Sequence, residues 1–332
     1  MTRASRRLGA IALATAAFVS VASPAPTLAQ DATLDRARAA IESGQAATAR
    51  PALESYARAN PGSAPGFYWL GRAHMAERSW EKAADALERA VRLDPAHAPS
   101  HFYLGAAYGE QAQRASKLRQ PFLAKKVQRE FERAVELDAD YLDAREGLVD
   151  FYRMAPGFMG GSIDKAKAQA SEIRKRNALR GAYAFAEIAM HEKKPEVAMK
   201  ELDNAIAAAP DSAGPYVQLA DMHGRAGDWA RAWEVVGRFQ ARRPDDPRGG
   251  YFTGRFAAMS GQRLDDGERG LRQYLARAHA PGTPTHAAAH WRLGQIAERR
   301  GDKPTARREY EAALRLDPEL AGAKESLQKL GA

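Results

Sequence analysis

Residues 64–95 and 287–318 read as two copies of one pattern, and this repetition restricts the chain to folds assembled from stacked, similar parts. The first copy carries Leu70-Gly71, Ala83, Leu87, Ala90 and Pro95; the second carries Leu293-Gly294, Gly301, Ala306, Tyr310, Ala313 and Pro318. A repeat of this size cannot bury its apolar face alone, so neighbours stack and share a continuous core. Small residues at positions 8 and 20 let two helices approach closely. Apolar residues at 7, 24 and 27 fill the space that this closeness leaves. The proline at 32 cannot continue the second helix and ends it. Gly44, Gly227, Gly261 and Gly301 fall at position 15, where the chain turns between helices.

The pattern resembles the tetratricopeptide repeat, whose period is about 34 residues. The resemblance covers nearly all of residues 30–332. It implies an all-α, right-handed α-solenoid of about eight helix-turn-helix units, expected at 31–61, 64–95, 98–139, 142–178, 179–210, 213–244, 247–280 and 287–318, with a C-terminal capping helix within 319–332. It also implies a scaffold that binds a protein or peptide rather than an enzyme.

Two units are stretched. Tyr108 to Phe131 exceeds the expected spacing by ten residues, and Tyr152 to Ala166 exceeds it by five. Both additions fall between the two helices of adjacent units, so they are expected side by side on one edge of the solenoid, where insertions often serve binding. The first is basic, with Arg114, Lys117, Arg119, Lys125, Lys126 and Arg129 around Pro121-Phe122-Leu123. The second contains Gly157, Gly160, Gly161 and Ser162, with Ser162 as a helix N-cap. Glycines ahead of a helix N-terminus can aim backbone N–H groups at an anion. Lys125, Lys126, Arg129, Gly157, Gly160, Gly161 and Ser162 therefore form one candidate site, for an anionic small ligand or envelope polymer. The competing reading is a tight turn beside a solvated helix face. The region also resembles a segment of bacterial exported repeat proteins of undefined role.

The second candidate site is the concave groove of the solenoid. Position 5 of the first helix reads Tyr68, Phe102, Glu146, Tyr183, Val217, Tyr251 and Trp291 in successive units; position 9 supplies Arg72, Glu187 and Arg255 among other polar residues. Aromatic side chains offer large contact area at small entropic cost, which suits a peptide or helix. The alternative is that these rings pack between neighbouring helices. Position 5 carries no asparagine, so the carboxylate-holding specialisation of the family's chaperone-binding members is not implied.

The N-terminus reads as an export signal. Arg3, Arg6 and Arg7 precede an apolar stretch from Leu8 to Ala22, and Thr27-Leu28-Ala29 offers small residues for cleavage after Ala29. A periplasmic protein of a Gram-negative-type cell is expected, with no stable membrane span after cleavage. The chain has no cysteine, which removes lipoprotein modification, disulfides, thiolate metal sites and thiol nucleophiles. Without the first 29 residues, 47 basic residues face 41 acidic ones, a modest +6 that does not point to nucleic acid.

Catalytic and metal constellations are not expected, nor is any cofactor. His97 and His101 are four apart, as are His286 and His290, but His101 and His290 share one repeat position, which the period explains. His191-Glu192 lacks the second histidine of the zincin pattern, and the nucleophile-elbow and dinucleotide-binding glycine motifs are absent.

Overall fold

The computed structural model describes residues 28–331, so the expected export segment lies almost wholly outside the described residues. Those residues fold into seventeen α-helices and one 3-10 turn, with no strand among them. They divide into two compact units, one ending at Leu93 and the other beginning at Asp94.

Unit 1 contains α1 (Leu28–Glu42), α2 (Ala46–Ala59), α3 (Ala64–Ala76) and α4 (Trp80–Leu93). Consecutive helices pack against each other, and α1 also touches α3. Its core gathers Ile41, Ala49, Leu53, Leu70, Ala73 and Ala86.

Unit 2 begins with α5 (Ala98–Arg114), α6 (Gln120–Leu137), α7 (Leu142–Met154) and α8 (Ile163–Arg176). It continues with α9 (Ala178–His191), α10 (Pro195–Ala208), α11 (Ala213–Arg225), α12 (Trp229–Arg242), α13 (Pro247–Ser260) and α14 (Leu264–Leu275). α15 (His286–Arg299), α16 (Lys303–Leu316) and α17 (Ala321–Gly331) complete it. The odd-numbered helices from α5 to α15 are the first helices of successive pairs, and most of them also touch the next first helix, so they line one layer. α9 and α11 are the exception; their backbones do not approach as closely.

The position-8 residue explains why the pairs are tight. A Cβ at Gly71 would fall 2.5 Å from Leu87 Cγ, and one at Gly294 would fall 2.4 Å from Tyr310 Cε1. In each pair the side chain sixteen residues on fills the notch that glycine leaves. At Gly105 the filler is Phe131, 2.7 Å away and twenty-six residues on. The ten extra residues are therefore accommodated by lengthening α5 and α6 to 17 and 18 residues, beyond the 12 to 15 of every other paired helix.

Helix starts follow local chemistry. Ser63, Asn177, Asp228, Thr285 and Asp302 each accept a backbone N–H from the first turn of the helix they precede. The turn between paired helices needs a left-handed residue: Gly44, Gly227, Gly261 and Gly301 have φ of +74° to +80°. Arg78 and Lys193 adopt the same conformation at the same repeat position, at a cost of about 1 kcal/mol each.

At the C-terminal end, α17 lies on the last pair. Trp291, Leu327 and Leu330 pack against buried Ala297, Ala306 and Tyr310, and Trp291 Nε1 donates to Ser326 Oγ at 3.1 Å.

Candidate functional site

The position-5 aromatics are engaged in packing between helices. In unit 1, Tyr68 is buried, meets Trp69 edge-on and accepts a hydrogen bond from Arg72 Nη1 at 3.0 Å. In unit 2, Phe102 stacks on Phe131 with centroids 5.7 Å apart and meets Tyr141 edge-on at 5.3 Å. Tyr251 is buried beside Tyr274. Trp291 lies so close to α17 that a Cβ at Gly322 would fall 2.4 Å from its ring. Tyr183 is half-buried and reaches from α9 to α11, its hydroxyl 2.8 Å from where a Cβ of Gly214 would sit. Burial pushes its phenol above the ordinary value.

What the first-helix layer of unit 2 exposes instead is a ladder of charges. Arg180 on α9 grips Glu146 on α7, Nε to Oε1 at 2.5 Å and Nη2 to Oε2 at 2.6 Å, and also bonds Asp143. Arg153 donates to Asp150 at 2.6 Å and lies 3.6 Å from Glu187 across the α7–α9 boundary. Arg255 on α13 donates to Asp221 on α11 at 2.8 Å. On α15, Arg292 donates to Gln295 at 2.8 Å and stacks on Trp291 with its guanidinium 4.0 Å from the ring centroid. Among the described residues Arg292 makes no ion pair within 4 Å, although Asp221 and Tyr251 both favour its charged form. Burial, and then the neighbouring Arg255, hold its guanidinium below the ordinary value against the opposing pull of Tyr251.

This ladder is only partly satisfied. Arg153 Nε, Asp221 Oδ1 and Arg292 Nε are enclosed and lack a hydrogen-bond partner among the described residues. Enclosed polar atoms are normally paired, so these three set the ladder apart from the rest of the helix layer. Asp150 and Glu187 keep 56% and 59% of their side-chain surface open. The Glu187 carboxyl is raised, first by the protein crowded around it and then by Asp150 and Glu146, despite that open side. One end of the face thus carries open carboxylates, while the other holds Arg292, half-buried against Trp291 and Gln295.

The ladder was missed from the sequence, although a signal was present. Glu146 and Arg180 are 34 residues apart, as are Asp221 and Arg255. Opposite charges one period apart lie on neighbouring units, and a search at that spacing finds both pairs.

The inserted edge is arranged differently from an anion cradle. The 3-10 turn Gly157–Met159 packs against α6, with the Gly160 Cβ position 2.6 Å from Gln128 Oε1, so the two additions do lie together. The loop amides, however, are consumed internally. Met159 and Gly161 donate to Pro156 O, Gly160 donates to Gly157 O, and Ser162 donates to Tyr152 O. Ser162 Oγ caps α8 by accepting from Lys165 N at 3.3 Å. Gly161 is required because a Cβ there would meet Ala155 O at 1.7 Å, and Gly160 because its φ is +103°. The glycines therefore serve a tight turn. Lys126 is held over the Tyr108 ring at 4.4 Å and Arg129 bonds Glu130, while Lys125 is exposed.

The histidines have structural surroundings. His101 Nδ1 lies 2.7 Å from Glu130 Oε2, with Nε2 3.1 Å from Pro95 O, and His290 repeats the contact with Glu309 at 2.7 Å. His97 bonds Ser100 and His286 packs on Tyr274. Among the described residues no three His, Cys, Asp or Glu side chains gather to hold a metal.

Comparison with known proteins agrees with this geometry. Residues 34–108 and 287–320 each match a tetratricopeptide-repeat family model. A tetratricopeptide-repeat protein from Parabacteroides merdae aligns over 92% of this chain and 100% of its own at 12% identity, with a TM-score of 0.52, and so shares the fold. A thermophilic tetratricopeptide-repeat protein from Thermus thermophilus aligns over 58% of this chain and 98% of its own at 18% identity and a TM-score of 0.49. No curated protein matches the chain. Two segments of the chain thus match tetratricopeptide-repeat models, and the described residues share the fold of a solved tetratricopeptide-repeat protein.

Proposed function

We propose that this protein is a non-enzymatic periplasmic adaptor that holds a segment of a partner protein along the first-helix face of unit 2. The observation that carries this reading is the charge ladder, with open carboxylates at Asp150 and Glu187 and Arg292, which makes no ion pair within 4 Å, at its far end. A polypeptide suits it because an extended chain brings backbone donors and acceptors at regular spacing, together with side chains of either sign. The matching segment is basic where it passes Asp150 and Glu187, and acidic, or ending in a carboxylate, where it reaches Arg292. Charge complementarity of this kind sets register and orientation more than raw affinity.

The test is photo-crosslinking in intact cells from a reactive residue at position 187, with position 171 on α8 as control. A discrete partner should be captured from 187 alone. Arg292→Glu, and separately Asp150→Lys/Glu187→Lys, should each lower its recovery at least about tenfold, in line with the 2–5 kcal/mol at stake in charge-pair disruption, with helicity unchanged. Equal capture from both positions, or insensitivity to both charge reversals, overturns the reading.

Export is supported by the Arg3, Arg6, Arg7 and Leu8–Ala22 pattern. Protein released from the periplasm by osmotic shock should have an intact mass that begins at Gln30. Full-length protein confined to the cytoplasm refutes the location.

A further inference from the structure

We propose that the tip formed by the α5–α6 insertion and the neighbouring 3-10 turn docks this protein on an anionic lipid bilayer. The inference stands apart from the groove reading, since it concerns different residues.

The tip departs from the rest of the surface in two ways. The first is exposed apolar bulk. Leu118, Phe122 and Phe158 are 84%, 76% and 80% exposed, the three most exposed large hydrophobic side chains among the described residues. Leu118 lies in the turn that leads into α6, where Gln120 N bonds Ser116 O, and Phe122 lies in the first turn of that helix. Phe158 lies on the 3-10 turn that packs against α6, and Met154 just ahead of it is also exposed. None of the four is needed for the core, which α6 supplies from Leu123, Ala124, Val127 and Phe131.

The second is charge. Between Gln111 and Arg129 the sequence holds Arg114, Lys117, Arg119, Lys125, Lys126 and Arg129, and no aspartate or glutamate. Arg114 is paired with Glu110, and Arg129 with Glu130. Lys117, Arg119 and Lys125 have no ion-pair partner among the described residues and flank Leu118 and Phe122 directly.

Protruding apolar side chains ringed by unpaired cations match the chemistry of an anionic bilayer, where the rings enter the headgroup boundary while lysine and arginine meet lipid charge. A protein partner fits less well. A stable interface needs about 800 Å² from each side with a well-packed centre, and a few exposed side chains do not supply one.

The test uses residues 30–332 and vesicles of phosphatidylcholine, with or without 30% phosphatidylglycerol as the probe. The chain lacks cysteine, so Phe122→Cys gives a single labelling site for an environment-sensitive dye, and Ser171→Cys serves as a control. The expected result is flotation with the anionic vesicles alone, a blue shift from the dye at 122 but not at 171, and weakening at high salt. Leu118→Ser/Phe122→Ser/Phe158→Ser and Lys117→Glu/Arg119→Glu/Lys125→Glu should each cut partitioning more than about tenfold. Their circular dichroism and melting should match wild type, because the substituted side chains are exposed.

Three results overturn the proposal. One is absence of binding to anionic vesicles. Another is undiminished binding by the triple serine variant, which makes the contact purely electrostatic. The third is a dye shift with polyglutamate but with no vesicle, which marks an acidic protein surface as the occupant.

Discussion

Replacing His101 with leucine should destabilise the α5–α6 pair by about 1–3 kcal/mol, the usual cost of removing one partner from a buried hydrogen bond. His101 and Glu130 are 6% and 4% exposed and 2.7 Å apart. His101 lies between two oxygen atoms, Glu130 Oε2 beside Nδ1 and Pro95 O beside Nε2. Burial pushes the Glu130 carboxyl up, but the hydrogen bonds from His101 and Arg129 outweigh it and hold the carboxyl below its usual range. Leucine at 101 removes the stronger internal donor and leaves Glu130 desolvated. In the combination His101→Leu/Glu130→Met both polar groups are gone, and most of the stability should return. Hydrogen exchange resolved by helix checks this. The single variant should lose protection in α5 and α6, with little change in α15 and α16, because a repeat feels mainly its neighbours. The same pair predicts a pH dependence. A carboxyl depressed in the folded state contributes stability above its ordinary range and loses it as pH falls through the folded value. The advantage of wild type over the double variant should therefore shrink below about pH 4. An unaltered advantage at low pH would refute the ionised carboxylate.

The second large effect is expected at the α13–α14 crossing. A Cβ at Gly254 would lie 2.1 Å from Leu271 Cγ and 2.5 Å from its Cδ1, and Leu271 is fully buried. Neither branch of the leucine can swing away into solvent, so Gly254→Val must pry the helices apart. Overpacking costs about 1–3 kcal/mol, and the loss should lie near the top of that range because a single methyl group is already too large. Leu271→Ala alone should cost about 2–5 kcal/mol through its cavity. In Gly254→Ala/Leu271→Ala the new methyl group occupies part of that cavity. The double variant should be more stable than the sum of the two losses allows, by at least about 1 kcal/mol. Additive losses in urea titration would mean that the two residues do not share one space.

These two sites show what the sequence reveals and what it leaves out. The notch at position 8 was legible, since Gly71, Gly254 and Gly294 recur where helix pairs need to close, and all-α repeats followed from it. The face that position 5 occupies was legible too. Its burial was not, because whether Phe102 projects into a groove or stacks on Phe131 depends on how closely the two helices of one pair approach. The glycine run at 157–161 suggested free amides, yet amide direction depends on φ and ψ at each residue, and here the amides turn back on Pro156 and Tyr152. The contact of His101 with Glu130 spans the ten-residue insertion, so no fixed spacing announced it.

α17 has a consequence beyond stability. Stacked pairs present the same kind of apolar side at the end of a stack as between its members, and such a side invites another copy to add on, and then another. Head-to-tail addition of that kind does not close on itself and grows into fibres. By laying Leu327 and Leu330 over the last pair and turning Lys324, Glu325, Gln328 and Lys329 outward, this helix makes the C-terminal end of unit 2 a poor template for polymerisation.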